Sequence, residues 1–160
     1  MAMNRFKREQ YAIAYGSNIG DKENAISEAL VEIGSLPQVR LLSNSGVFKT
    51  SPVGFESEND FLNGVCIVES TLHPELILIY LNRIEKKLGR VRMKGGYTDR
   101  IIDLDIVLAK NLEYTSEDLQ IPHPRMHQRQ FVLEPLVTIA AKWEHPILLK
   151  SVKELLNAII

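Results

Sequence analysis

Asp103-Leu104-Asp105 carries more chemical promise than any other tripeptide in the chain. It lies in a run, Ile101 to Ala109, whose apolar and β-branched content predicts a strand. Strand side chains alternate faces. Leu104, Ile106 and Leu108 are therefore expected in a core, with Asp103 and Asp105 together on the opposite face. Residues two apart on a strand are roughly 6.5 to 7 Å apart along the chain. Carboxylates at that spacing can share a pair of hard cations, which sit ~3.5 to 4 Å apart in two-metal sites. Oxygen-only ligation favours Mg2+, with water and phosphate oxygens completing the shell. The competing reading is a solvated strand face, which any short Asp-x-Asp can be.

The residues just upstream are basic. Residues 83 to 100 hold Arg83, Lys86, Lys87, Arg90, Arg92, Lys94 and Arg100 against Glu85 and Asp99. That segment is +5 and the other 142 residues sum to -6, within a chain of net charge -1. Arginine forks match phosphate oxygens bidentately. A stretch containing Gly95-Gly96 could close them over a polyphosphate, as catalytic lids do. Lysines at the end of a helix favour its dipole, which accounts for Lys86 and Lys87. It accounts poorly for Arg90, Arg92 and Arg100, which flank the acidic pair.

A third cluster is Pro122-His123-Pro124-Arg125-Met126-His127-Gln128-Arg129-Gln130-Phe131. His123 and His127 have the i, i+4 spacing of a zinc helix. Pro124 argues against a continuous helix there, and no glutamate sits in the metalloprotease position. Phosphate contact by the histidine and arginines fits better. Phe61 and Phe131 lie beside polar residues, which suits stacking on a flat heterocycle, although plain core packing is the commoner use of phenylalanine. Cys66 alternates with Val65 and Ile67 and reads as a small core residue. Neither Gly-x-x-x-x-Gly-Lys-Ser/Thr nor Gly-x-Gly-x-x-Gly occurs. A bound nucleotide would thus depend on metal carboxylates and arginines.

These residues need a frame. The chain has 160 residues, 45% hydrophobic and 24% charged. That size and mix predict one globular domain over residues 1–160, with no need of a metal or disulfide to fold. A near-neutral charge argues against a general nucleic-acid binder. One cysteine, no signal-like apolar run and no span of ~20 apolar residues predict a cytoplasmic protein free of the membrane. A monomer is expected, with an oligomer left open. Tyr11, Ile13 and Tyr15 alternate with alanines and predict a strand. Asp21 caps a helix with its stripe at Ile26, Ala29, Leu30 and Ile33. Val39 to Lys49 and Phe61 to Glu69 predict two more strands, joined by a loop containing Thr50, Val53 and Gly54. Pro74 suits the first turn of a second helix, and Gly89 its end. The order strand, helix, strand, strand, helix, strand predicts a ferredoxin-like βαββαβ α+β core, with helices on one face of an antiparallel sheet. A C-terminal helical extension follows. Pro135 is expected near a helix start. Ser151 and Glu154 form a capping box ahead of a stripe at Val152, Leu155, Leu156 and Ile159.

In order and spacing, several segments resemble the 6-hydroxymethyl-7,8-dihydropterin pyrophosphokinases of folate biosynthesis. They are Ala14-Tyr15-Gly16-Ser17-Asn18, Thr50-Ser51-Pro52-Val53-Gly54, Phe61-Leu62-Asn63, Gly89-Arg90-Val91-Arg92, Arg100-Ile101-Ile102-Asp103-Leu104-Asp105 and Pro122-His123-Pro124-Arg125-Met126. The resemblance implies transfer of pyrophosphate from ATP to the pterin hydroxymethyl oxygen, releasing AMP. It implies that Asp103 and Asp105 ligate two Mg2+ ions. Arg90, Arg92 and Arg100 resemble the arginines that engage ATP and support catalysis. Glu85, Ile106, His123 and Arg129 match nucleotide-side positions. Phe61 and Phe131 resemble the rings that sandwich the pterin, with Asn63, Thr50, Val53 and Gly54 at its edge. Tyr97-Thr98-Asp99-Arg100, Ser51 and Pro124 depart from the commonest family pattern. No residue is singled out as a general base. Two readings from other classes stand beside this one: a ferredoxin-like RNA-binding module and a Mg2+-dependent phosphohydrolase.

Overall fold

The computed structural model describes residues 6–50, 60–89 and 101–160. At its centre is β1 (Glu9–Ser17), followed by α1 (Lys22–Gly34). The Asp21 side chain accepts the Asn24 N–H at 3.2 Å and starts that helix. β2 (Val39–Asn44) and β3 (Phe48–Thr50) come next. Then come β4 (Phe61–Ser70), α2 (Pro74–Lys87) and β5 (Asp103–Ala109). In α2, Pro74 occupies the first turn, and His73 Nδ1 accepts the Glu75 N–H. The strands pair antiparallel in the order β2-β4-β1-β5, with β3 also paired to β4. Each helix thus crosses over one intervening strand, β1-α1-β2 over β4 and β4-α2-β5 over β1. These interleaved split units make the ferredoxin-like α+β core that the element order predicts.

The side chains of β1 divide the interior. Tyr11, Ile13 and Tyr15 join Ile26, Ile33, Ile77, Leu81 and Leu104 in a core beneath α1 and α2. Ala12 faces the other way, into a second core with Val65, Ile67 and residues of the C-terminal helices. Those helices are α3 (Gln130–Ala140) and α4 (Val152–Asn157), which pack on the opposite face of the sheet from α1 and α2. Helices therefore cover both faces, not the single face expected from the βαββαβ order. The remaining elements are short: β6 (Tyr114–Thr115) with β7 (Gln120–Ile121), a 3-10 turn at Met126–Gln128, and β8 (Glu144–His145) with β9 (Lys150–Ser151).

Four details depart from the sequence expectation. The run Val39 to Lys49 is broken into two strands around Gly46, whose φ is +80°. β5 carries a bulge opposite Ala12/Ile13, because Ile13 pairs with Ile106 and Ala12 with Leu108. Val107 is the extra residue. Leu104 and Ile106 keep their places in the first core, but Leu108 turns to the second. Pro135 lies inside α3 and not near its start. The lost N–H affects only the bond to Phe131 O, one residue into the helix, and the Pro135 ring is itself buried in the second core's helix. The capping box of α4 is present, with Ser151 and Glu154 bonded reciprocally. Its helix ends at Asn157, leaving Ile159 38% exposed.

Gly64 shows how tightly the sheet centre is filled. It pairs with Tyr15, whose hydroxyl donates to Asn44 Oδ1 at 2.6 Å. A Cβ at Gly64 would collide with the Tyr15 ring and stand 2.6 Å from Gly46 O. Gly64→Ala is expected to destabilise the protein by about 1–3 kcal/mol through overpacking. Urea unfolding should show a lower midpoint at unchanged slope.

Candidate active site

The second core does not extend along the whole sheet. It stops near Ala14 and Val65, and beyond it lies a cavity of about 710 Å³. Its floor is formed by outward positions of three strands: Ala14 and Gly16 of β1, Asn63 of β4, and Asp103 and Asp105 of β5. Register explains the grouping. Gly16 pairs with Asn63 on one side and Asp103 on the other, and Ala14 pairs with Asp105. Phe61 and Thr50, cross-strand partners, extend the floor. The wall is the start of α3 and the turn before it, with Arg125, Gln128, Arg129, Gln130, Phe131 and Glu134.

Asp103 and Asp105 thus share one face, both half-buried, as their spacing predicts. Among the described residues no cluster of three or more His, Cys, Asp or Glu is present. Two carboxylates lining one cavity suit Mg2+ that draws its other ligands from water and phosphate. They do not make a closed protein cage for a metal on its own.

Phe61 and Phe131 both line the cavity and are half-buried. Asn63 is 7% exposed, and its Nδ2 donates to Thr50 Oγ1 at 2.5 Å. A Cβ at Gly16 would stand 2.7 Å from Asn63 Oδ1. Glycine at that position leaves room for the amide oxygen.

His123 is tied by its backbone N–H to Val107 O at 2.9 Å. Its Nδ1 accepts the Arg125 N–H at 3.1 Å, which leaves the proton of the neutral ring on Nε2. Burial, then the charges of Arg129 and Arg125, push its pKa down to about 4 against a smaller pull from Asp103. A zinc helix through His123 and His127 does not form, since the chain passes from Pro124 into a 3-10 turn. His127 instead meets His145 edge-on, with centroids 5.9 Å apart.

Two residues expected on the nucleotide side, Glu85 and Ile106, are not among the residues lining this cavity. Glu85 is 2% exposed at the junction of α2 and β5, and accepts the Leu104 N–H at 2.7 Å. It anchors the strand between the two aspartates and does not line the cavity. Ile106 keeps its side chain in the first core at 3% exposure, leaving only its backbone for a ligand. Arg90, Arg92, Arg100, Val53 and Gly54 lie outside the described residues. Cys66 is buried in the sheet, and burial pushes its thiol up to about 12, so it is an inert core residue. Arg125, one of the arginines expected at phosphate, lines the cavity, and so do Lys49, Gln128 and Glu134, to which the sequence assigned no role.

The fold and cavity define a ferredoxin-like α+β architecture with an acid-floored, aromatic-walled site among the described residues. Residues 12–141 match the family model described as 7,8-dihydro-6-hydroxymethylpterin-pyrophosphokinase (HPPK). The chain is 42% identical over 137 residues to the 2-amino-4-hydroxy-6-hydroxymethyldihydropteridine pyrophosphokinase of Porphyromonas gingivalis, covering 84% of this chain and 92% of that protein. It is 40% identical over 146 residues to the Folic acid synthesis protein fol1 of Pneumocystis carinii. That match covers 90% of this chain but only 19% of the fungal protein, so the chain spans about a fifth of its length. A crystal structure of Plasmodium falciparum HPPK-DHPS superposes with a TM-score of 0.72 at 14% identity, over 95% of this chain and 43% of the other. That likeness bears on the fold alone. The chain belongs to the 7,8-dihydro-6-hydroxymethylpterin-pyrophosphokinase family, a family of ATP-dependent pyrophosphokinases.

Two outcomes are expected. The His123 ring should titrate near pH 4 in an NMR titration, while a midpoint near 6.5 would mean a solvated ring. Since the unfolded chain takes up this proton near 6.5 and the folded chain only near 4, the group's contribution to stability falls as pH drops through that window. Separately, Gly16→Ala should displace the Asn63 amide. Heterocycle binding should weaken roughly ten-fold or more by calorimetry, the cost of a mispaired buried amide.

Proposed function

We propose that this chain transfers the β,γ-pyrophosphoryl group of ATP to the hydroxymethyl oxygen of 6-hydroxymethyl-7,8-dihydropterin, giving the pterin diphosphate and AMP. The observation that carries this reading is the sharing of one cavity by Asp103 and Asp105 with Phe61, Asn63 and Phe131. Family membership supports it.

In this reading Asp103 and Asp105 hold two Mg2+ ions together with the ATP phosphates. Bound Mg2+ would supply neutralisation and alignment of phosphate oxygens. Arg129 adds a cation on the same side. His123 offers a neutral Nε2–H donor, because Nδ1 is already engaged. Arg90, Arg92 and Arg100 take the role their resemblance implies, engaging ATP from the segment before β5. Phe61 and Phe131 hold the pterin between their rings. Asn63 reads its edge, with Thr50 fixing the amide, and Val53 and Gly54 take the edge role their resemblance implies. Such a polar edge contact rejects heterocycles that cannot pair with it.

The step itself balances simply. The hydroxymethyl oxygen attacks the β-phosphorus, the bond from that phosphorus to the α,β-bridging oxygen breaks, AMP leaves, and one proton is released. The attacking alcohol is neutral, so its orientation carries much of the acceleration. In this reading ATP and the pterin are the partners. No helix of the described residues is long and apolar enough to cross a membrane. An RNA-binding module of this topology would use a free sheet face, and α3 and α4 cover much of that face here.

Incubation with Mg2+, ATP and the reduced pterin alcohol should yield AMP and a pterin diphosphate. ADP as product, or phosphate release without acceptor, would sink the proposal and favour a phosphohydrolase. Asp103→Ala and Asp105→Ala should each lower kcat by roughly a thousand-fold or more, with unfolding midpoints close to the parent. Phe131→Ala should weaken pterin binding far more than ATP binding in calorimetry, and equal losses would point to a packing role.

A further inference from the structure

Arg129 stands just before the first turn of α3, with extended backbone angles of φ -108° and ψ 102°. Its carbonyl accepts the Val132 and Leu133 N–H groups, each at 3.0 Å. Val132 and Leu133 are 2% and 0% exposed in the core below. The backbone of residue 129 therefore cannot swing without unmaking the start of the helix. From that fixed root the side chain folds over the Phe131 ring, with Cζ 5.5 Å from the centroid. Both residues line the cavity. Asp103 and Asp105 line the same cavity, and the Arg129 charge helps to hold the His123 pKa down. One guanidinium thus spans the charged half of the cavity and the aromatic half.

We infer that Arg129 couples the two halves: its guanidinium is a positioning group for the Phe131 ring, so that an anion in the charged half and a heterocycle on the ring each strengthen binding of the other. The inference rests on the functional reading above. A cation within about 6 Å of a ring centroid is held by the negative face of the ring. Phosphate bound to the guanidinium fixes it, and a fixed guanidinium restricts the ring on which the pterin must stack. The rotamer freedom lost on the second binding event is then smaller, which is positive coupling without a change of backbone. Such coupling is reciprocal in the two affinities. A half-exposed cation–π contact corresponds to about two- to five-fold in affinity.

The test uses calorimetry on the full chain with two probes, the reduced pterin alcohol and a methylene-bridged, non-transferable ATP analogue with Mg2+. In Arg129→Met, pterin affinity measured without nucleotide should fall about two- to five-fold, and the gain on saturating with the analogue should disappear. In Phe131→Leu, analogue affinity measured without pterin should fall by a similar factor. A residue serving only as a phosphate ligand would leave the nucleotide-free pterin affinity of Arg129→Met at the parent value, and that result overturns the inference. Arg129→Gln provides a second variant should the methionine disturb α3, with urea unfolding as the check on both. Failure of the parent protein to bind the pterin at all would overturn the site reading and this inference with it. Normal pterin binding by the parent, with no change in the variants, overturns the coupling alone.

Discussion

Two carboxylates two residues apart on one strand repel each other, and neither can be sealed in an apolar interior without a compensating cation. The architecture follows from that constraint. On the first face of the sheet, α1 and α2 cover strand positions from Tyr11 to Tyr15. On the second, α3 and α4 cover Ala12, Val65, Ile67 and Leu108 and then stop. Among the described residues, neither pair of helices covers the stretch where Asp103 and Asp105 lie half-buried at one cavity.

The same stretch of sheet solves a second problem, how to present a buried amide. Asn63 is almost wholly enclosed, so its polar atoms need partners. Thr50 takes one amide hydrogen and the bare backbone of Gly16 leaves space for the oxygen. The pairings Gly16↔Asn63 and Gly16↔Asp103 place the amide and the first carboxylate on either side of one glycine. In the proposed function, a reader of heterocycle edges and a ligand for cations are thereby neighbours on three adjacent strands.

Much of this was legible in the sequence because alternation and capping are local signals. Tyr11, Ile13 and Tyr15 announce β1, Asp21 announces α1, and Ser151 with Glu154 announces α4. The shared face of Asp103 and Asp105 follows from the two-residue period alone. What was not legible depends on residues far apart in the chain. Nothing near Gln130 says which face of the sheet α3 will cover, because that is decided by the apolar positions of β1 and β4. Glu85 carries no mark of its bond to Leu104, which spans α2 and β5. Lys49 and Glu134 reach the cavity only through tertiary packing. The family resemblance supplied roles for site residues, whereas spacing supplied only their faces.

The bulge at Val107 has a consequence for how β5 can vary. Below it, the strand's phase is locked to Gly16 and Ala14, and that phase aims the carboxylates. Above it, a second phase aims Leu108 at the C-terminal helices. The strand works as two rulers joined at one residue. Repacking beneath α3 and α4 can shift the upper ruler without rotating the lower one. The acidic end is in that sense insulated from changes in the cover that grew over the rest of the sheet.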